Sequence, residues 1–386
     1  MSSVNASTYA YPWDIFDIGV EEAFAEFRDA GLVAVDLATA YHPIATFSPR
    51  AGGRRMLYQE QGAVFFPAQS ERYGRIKPNV WPDAELMTAW PKAAEAATKY
   101  GISLRGWTIG MFQPWIAHDY PDCARVMATG AVVPAGTCPG SPDVQEYLAT
   151  LVTDAATQFD LSGIRLEKVS FPGYDYGWVR PRVLVGLGAW TKWLLSICFC
   201  PSCTRQGEEA GVAVELLRQR IVAEVQADFD GVHGSQDQAA RHLEWLADNA
   251  DYAEYVRLGD VSVVKLLATV ASSLSGTGRH VPLGVYYDPD EVDFAKCAEH
   301  IDAITMGYFT SPDDAERNRR LADTENLQLD YLLYISDTRT PESTEIDEKL
   351  REFGELPVDE IGIYNFGLLR KGYVPALADK IRKVGS

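Results

Sequence analysis

Residues 163–171, Gly-Ile-Arg-Leu-Glu-Lys-Val-Ser-Phe, decide how the fold is read. They alternate as a strand does, with Arg165, Glu167 and Val169 on one face and Ile164, Leu166 and Lys168 on the other. A helical pattern over Pro142–Phe159 precedes them, and the same helix-then-strand order recurs in both directions along the chain.

Toward the N-terminus, strand-like runs occur at Leu32–Tyr41, Gly62–Ala68 and Ile102–Phe112. Toward the C-terminus they occur at Val281–Asp288, Ile301–Phe309, Leu327–Ser336 and Glu360–Phe366. Helical patterns at Val20–Ala30, Ala84–Tyr100, Val292–Glu299, Ala315–Leu321, Ile346–Phe353 and Ala376–Val384 lie between or beside them. Eight near-continuous apolar strands alternating with helices predict an α/β protein with a (β/α)8 TIM barrel, ahead of a doubly wound open sheet. The run at Gly62–Ala68 fits least well, because Pro43–Pro82 carries no clear helix and reads as a loop over the barrel mouth. Between the fourth and fifth runs, Pro172–His280 is long and mostly helical in pattern (Val212–Phe229, Gln236–Ala250, Tyr252–Leu274). The expected organisation is one domain over residues 1–386 with a helical insertion over 172–280.

The chain has 386 residues, 47% of them hydrophobic, and a formal net charge of −19, a balance that disfavours nucleic acid and anionic membranes as partners. No uninterrupted apolar run approaches the roughly 20 residues of a membrane span, and the N-terminus has no signal-peptide pattern, so a soluble cytoplasmic protein is expected. The apolar stretch Val183–Leu195 offers either a surface for homo-oligomer formation or a buried helix.

Barrel enzymes place their chemistry at the C-terminal strand ends. Those ends carry Tyr41-His42, then Trp107 through Trp115 and His118, then Tyr174 and Tyr176. Further on come Tyr287 and Asp288, Tyr308, Asp337 and Asn365. Aromatic faces pack on the C–H faces of sugar rings, while His, Asp and Asn bond hydroxyls, so a carbohydrate or glycoside is the expected small-molecule partner. Nucleotide-binding glycine motifs are missing from the sequence.

Within this set Glu167 stands out, since a carboxylate in a strand is costly unless paired or used. It is either the partner of Arg165 or Lys168 in the barrel wall or a general acid. A glycosidase needs a second carboxylate. Asp337 is the first choice and Asp288 a rival, whereas Asp290 reads as a helix cap.

Cys198-Phe-Cys-Pro-Ser-Cys203 brings Cys198, Cys200 and Cys203 close enough to share one tetrahedral ion, with Cys138 or Cys123 as the fourth ligand. A closed thiolate set points to structural zinc rather than a catalytic metal. Cys297 reads as a core residue.

These motifs resemble the barrel β-galactosidases of glycoside hydrolase family 42 and related clan-A glycosidases. They are also similar to uncharacterised actinobacterial glycosidase-like barrel proteins. In family 42 a Glu ends the fourth strand, and a C-x-C-x-x-C segment binds zinc together with a Cys that precedes the helix after strand three. The resemblance therefore implies Glu167 as acid/base and Cys138, in Thr-Cys-Pro-Gly-Ser, as the fourth ligand. This chain departs from the family in having Leu166-Glu167 where the family has Asn-Glu, and Asp337 where it has a Glu. The spacing from Glu167 to Cys198 is also longer. The expected function is hydrolysis of a small or unusual glycoside. The alternatives are a metal-dependent sugar isomerase or epimerase, for which only His42 is well placed among the histidines, and a non-catalytic glycosidase-like carbohydrate-binding protein.

Overall fold

The computed structural model describes residues 4–50, 56–175, 186–231, 238–286, 293–307, 310–335, 340–355 and 358–384. Eight parallel strands close into a barrel: β1 (Asn5–Ala10), β2 (Ala34–Tyr41), β3 (Ser103–Ile109), β4 (Gly163–Glu167), β5 (Leu283–Tyr286), β6 (Ala303–Met306), β7 (Gln328–Tyr334) and β8 (Glu360–Tyr364). Each pairs with its sequence neighbour, and β1 closes the ring by pairing with both β2 and β8. The (β/α)8 expectation holds.

One strand of the expected eight is replaced by another. Asn5–Ala10 is the first barrel strand, whereas Gly62–Ala68 contributes only Ala63–Val64, antiparallel to the end of β2. The apolar content of that run is used differently: Phe65 and Phe66, within the loop after β2, are fully buried against Trp13 and against Trp90 and Phe159.

Local chemistry places β4 and its supporting helix. Helix Pro142–Phe159 begins with Pro142 in its first turn and ends at Asp160, whose left-handed φ of 50° stops it. Ile164 and Leu166 point outward into the helical layer and are fully buried there, each contributing about 1.5–3 kcal/mol of apolar burial. Arg165 and Glu167 point into the barrel.

The barrel interior carries charge where aliphatic layers are usual. Arg105 on β3 grips Asp36 of β2 through Nε and Nη2 (2.9 and 2.6 Å) and Glu360 of β8 through Nη1 and Nη2 (3.0 and 2.5 Å). Arg165 meets Asp330 of β7 at 2.5 Å, and Ser7 of β1 donates to Glu360 at 2.6 Å. Burial would raise the Glu360 carboxyl, but Arg105, Arg165 and Ser7 outweigh it and hold the group below its ordinary range. A buried network of this kind ties six strands together only while every member is present.

Among the described residues, five helices lie between β4 and β5: Ala189–Ser196, Pro201–Glu209, Val214–Phe229, Gln238–Asp248 and Ala250–Ser275. The first of these buries Trp190, Thr191, Leu194 and Leu195, so residues 189–195 of the apolar stretch form a packed helix. The last is long and apolar enough to cross a membrane by length and composition. It buries Leu266, Leu267, Val270 and Leu274 in the main core and packs along helix Pro142–Phe159.

Candidate active site

Above the charged layer, toward the C-terminal strand ends, the inward positions become aromatic. Tyr9, Trp107, Tyr286 and Tyr364 follow Ser7, Arg105, Gly284 and Gly362 by two residues along their strands, and Glu167 follows Arg165 in the same way.

Glu167 is half-buried, and its Oε2 accepts a hydrogen bond from Trp107 Nε1 at 3.1 Å. Arg165 is engaged with Asp330 in the layer below, so the ion pair between Glu167 and Arg165 that the sequence allowed is not formed. The backbone that presents Glu167 is pinned: Gly110 N donates to Glu167 O at 2.8 Å and Met111 N to Lys168 O at 2.6 Å. Lys168 has a φ of 55°, a left-handed conformation that a non-glycine residue holds at a cost on the order of 1–3 kcal/mol. Only glycine fits opposite it, since a Cβ at Gly110 would lie 2.8 Å from Lys168 O.

Trp107 is enclosed by tyrosines. Tyr9, Tyr41 and Tyr364 meet it edge-on at centroid distances of 5.4, 4.9 and 5.8 Å, and Tyr11 stacks on it at 5.5 Å. The Tyr364 hydroxyl lies 2.8 Å from that of Tyr11 and 3.3 Å from that of Tyr41. Burial raises all of these phenols, Tyr364 to about 12, and the charge of Glu167 adds to the rise at Tyr41, Tyr286 and Tyr364. They remain protonated at neutral pH and can serve as hydrogen-bond donors.

The remaining expected site residues separate into groups. Tyr41 and Trp107 belong to this aromatic floor. His42 lies at its edge, between Tyr41 (4.2 Å) and Phe112 (4.9 Å). Its Nδ1 contacts Pro43 O at 2.7 Å, and burial lowers its pKa to about 4, so the ring is neutral.

Trp115 departs from the substrate-contact role expected of it. It is buried in the main core against Tyr147, with its N–H donated to Gln113. His118 is solvent-exposed and pairs with Asp119 at 2.6 Å. The Asn365 side chain is buried: its Oδ1 caps the following turn by accepting from Gly367 N, and its Nδ2 finds no partner among the described residues. Tyr174 leans into the helical region after β4. Tyr176, Tyr287, Asp288, Asp290, Tyr308 and Asp337 lie outside the described residues.

Of the tyrosines of the aromatic floor, Tyr9 and Tyr11 lie outside every strand-like run read in the sequence, and at the fifth and eighth strand ends, which carry Tyr286 and Tyr364, the expected contacts are their neighbours Tyr287 and Asn365. Strand alternation signals two of them, because Gly284-Val-Tyr286 and Gly362-Ile-Tyr364 put tyrosines, not Tyr287 or Asn365, on the inward face.

A second cluster lies in the helical region. Cys138, Cys198, Cys200 and Cys203 are all buried, with sulfur atoms within 4.8 Å of one another and Cys138 Sγ 3.4 Å from Cys203 Sγ. Four thiols at these separations can hold a metal ion; tetrahedral Zn–S bonds of about 2.3 Å give sulfur separations of about 3.8 Å. Cys123 stands apart, held by Ser141 and flanked by Asp122 and Asp143, which Arg75 bridges at 2.6 and 2.7 Å. Cys297 is buried in the main core, as expected. Among the described residues no set of histidines and carboxylates converges at the strand ends in the way a metal-dependent isomerase requires.

No protein-family model matches the chain, and no curated protein sequence does. Solved structures do. The chain is similar to α-L-fucosidase isoenzyme 2 from Paenibacillus thiaminolyticus, with a TM-score of 0.56 and 12% identity over 100% of this chain and 49% of that one. It is similar to the β-galactosidase of the psychrophilic Marinomonas ef1, with a TM-score of 0.57 and 9% identity over 98% and 59% of the two chains. A GH20 exo-β-N-acetylglucosaminidase from Vibrio harveyi gives 0.50 and 8% over 98% and 54%. The chain thus spans about half to three-fifths of the length of these proteins. At such identities the likeness is one of fold: a glycoside hydrolase-like TIM barrel, with family 42 not singled out.

Proposed function

We propose that this chain is a glycoside hydrolase acting on a small or unusual glycoside, with Glu167 as the proton donor to the departing oxygen. The carrying observation is the position of Glu167, inward at the C-terminal end of β4, bonded by Trp107 and not consumed by the arginine next to it in the barrel. A carboxyl so placed can give its proton to a glycosidic oxygen and later take one from water. The tyrosine and tryptophan faces around it suit the C–H faces of a sugar ring, and the protonated phenols suit its hydroxyls.

The second carboxylate is assigned to Asp337, with Asp288 as the rival. Their separation from Glu167, about 5–5.5 Å for retention or about 6.5–9.5 Å for inversion, sets the stereochemistry. Zinc on Cys138, Cys198, Cys200 and Cys203 has a structural role, tying the start of helix Pro142–Phe159 to the helices after β4. Arg125, fully buried and donating to Leu195 O and Ser196 O, places a positive charge beside the anionic cluster. The helical insertion over 172–280 is assigned to the same domain as the barrel, a reading supported by Phe171, which packs on both cores. Six buried cysteine thiols fit a reducing, cytoplasmic setting.

The test is hydrolysis of a panel of aryl and natural glycosides by the wild type and Glu167→Gln side by side. Turnover by the wild type that falls about 10²–10⁴-fold in the variant is expected. Equal turnover by both would remove Glu167 from the mechanism.

A further inference from the structure

A cavity of about 790 Å3 opens among helices Ala189–Ser196, Pro201–Glu209 and Ala250–Ser275, a volume in the range of small-molecule sites. Its wall is aromatic, with Tyr174, Trp190, Trp193 and Tyr255 contributing. The charges along it are neutralised in pairs: Asp175 with Lys192 at 2.6 Å and Asp260 with Lys296 at 2.8 Å. Ser262 and Gln206 are bonded to each other at 3.0 Å.

His242 offers a polar contact on the wall. Trp193 Nε1 donates to the Tyr252 hydroxyl at 2.7 Å, and an indole N–H can only donate. The phenol accepts there and lies 2.8 Å from His242 Nδ1, to which it can give its own proton. Burial lowers the pKa of His242, which favours the neutral ring, and in the tautomer that accepts from Tyr252 the proton sits on Nε2. Among the described residues that Nε2–H has no acceptor.

We propose that this cavity is a binding site for an uncharged aromatic or alicyclic molecule carrying one hydrogen-bond acceptor, its ring held between tryptophan and tyrosine faces and its acceptor on His242 Nε2. A charged ligand would lose hydration with no counter-charge free to meet it. Two sources share this chemistry, the leaving group of a glycoside and a separate small molecule. The first has a physical basis in the wall itself, which includes Phe171 and Tyr174 in the segment leaving β4 just after Glu167. The site stands independently of the glycosidase reading, because its test needs no turnover.

The experiment is calorimetric titration of the full chain with 2-naphthol, with 2-naphthoate as the charged control. Gly259→Leu blocks the cavity: a Cβ there meets only Phe171, at an ordinary 3.6 Å, and the change favours the helix, so the variant folds. His242→Phe keeps the ring and removes the donor. The proposal expects 1:1 binding of 2-naphthol, weakened at least about tenfold by Gly259→Leu and about threefold to tenfold by His242→Phe, with naphthoate at least about tenfold weaker. Absence of binding up to the solubility limit, equal affinity in Gly259→Leu, or equal binding of naphthoate overturns it. In a Glu167→Gln background, tighter binding of a 2-naphthyl glycoside than of 2-naphthol supports the site as the leaving-group pocket, and equal affinity supports it as the site of a separate ligand.

Discussion

Trp107 couples the aromatic floor to the acid. Its indole is held by four tyrosine rings and spends its N–H on Glu167 Oε2, which orients the carboxyl. Trp107→Phe keeps an aromatic face and deletes the donor, so we expect turnover to drop about tenfold to a hundredfold, in the range of one lost active-site hydrogen bond, with a modest fall in thermal stability from the void the smaller ring leaves. A kcat equal to that of the wild type would show that the bond has no bearing on catalysis. Asp14 makes a separate prediction at the same scale. It is fully buried in the helix after β1, packed so closely on the turn after β8 that a Cβ at Gly367 would lie 1.8 Å from its Cγ. Burial pushes its carboxyl from 3.8 up to about 8. The folded protein therefore keeps a proton that the unfolded chain releases, and the stability this gives at low pH is lost as pH rises from about 4 to about 8. We expect Asp14→Asn to flatten that decline, by up to about 1.4 kcal/mol per pH unit, in urea unfolding between pH 5 and 8. Parallel curves for the two proteins would contradict this account of Asp14.

At the scale of elements, the barrel shows how strand composition encodes layers. Gly284 on β5 leaves space for Arg165, since a Cβ there would lie 2.2 Å from Arg165 Nη1 and 2.8 Å from its Cδ. We expect Gly284→Ala to cost about 1–3 kcal/mol in chemical denaturation, because Arg165 must shift away from Asp330; an unchanged unfolding midpoint would contradict this packing. The cysteine cluster gives the second prediction of this kind. Cys138→Ser should lower bound zinc to well below one per chain and reduce the melting temperature, whereas Cys123→Ser should leave the metal content intact.

Most barrel strands were legible because β3, β4, β7 and β8 combine apolar outward positions with period-two alternation. Asn-Ala-Ser-Thr-Tyr-Ala over β1 was not, because its outward residues Ala6, Thr8 and Ala10 are small and its inward Ser7 is polar, so no run of large apolar side chains marks it. Gly62–Ala68 misled for the opposite reason: Phe65 and Phe66 make a strand-like run, but a buried loop requires apolar residues as much as a strand does. Glu167 could be read from the alternation of one strand alone. Tyr286 and Tyr364 are legible in the alternation of β5 and β8, whereas Tyr9 and Tyr11 are not, since β1 carries no strand signature of its own.

For the molecule as a whole, the fold is that of much longer glycosidases, while the charged barrel interior, the aromatic floor and the cysteine cluster are written in this chain's own residues. The central claim is that Glu167 donates the proton to the leaving group, and its most direct test is the dependence of kcat/KM on leaving-group acidity in Glu167→Gln. The account expects a loss of about 10²–10⁴-fold for glycosides of poorly acidic alcohols, and a far smaller loss for dinitrophenyl glycosides, whose departure needs no proton. A loss of equal size across all leaving groups, or no loss at all, would contradict it.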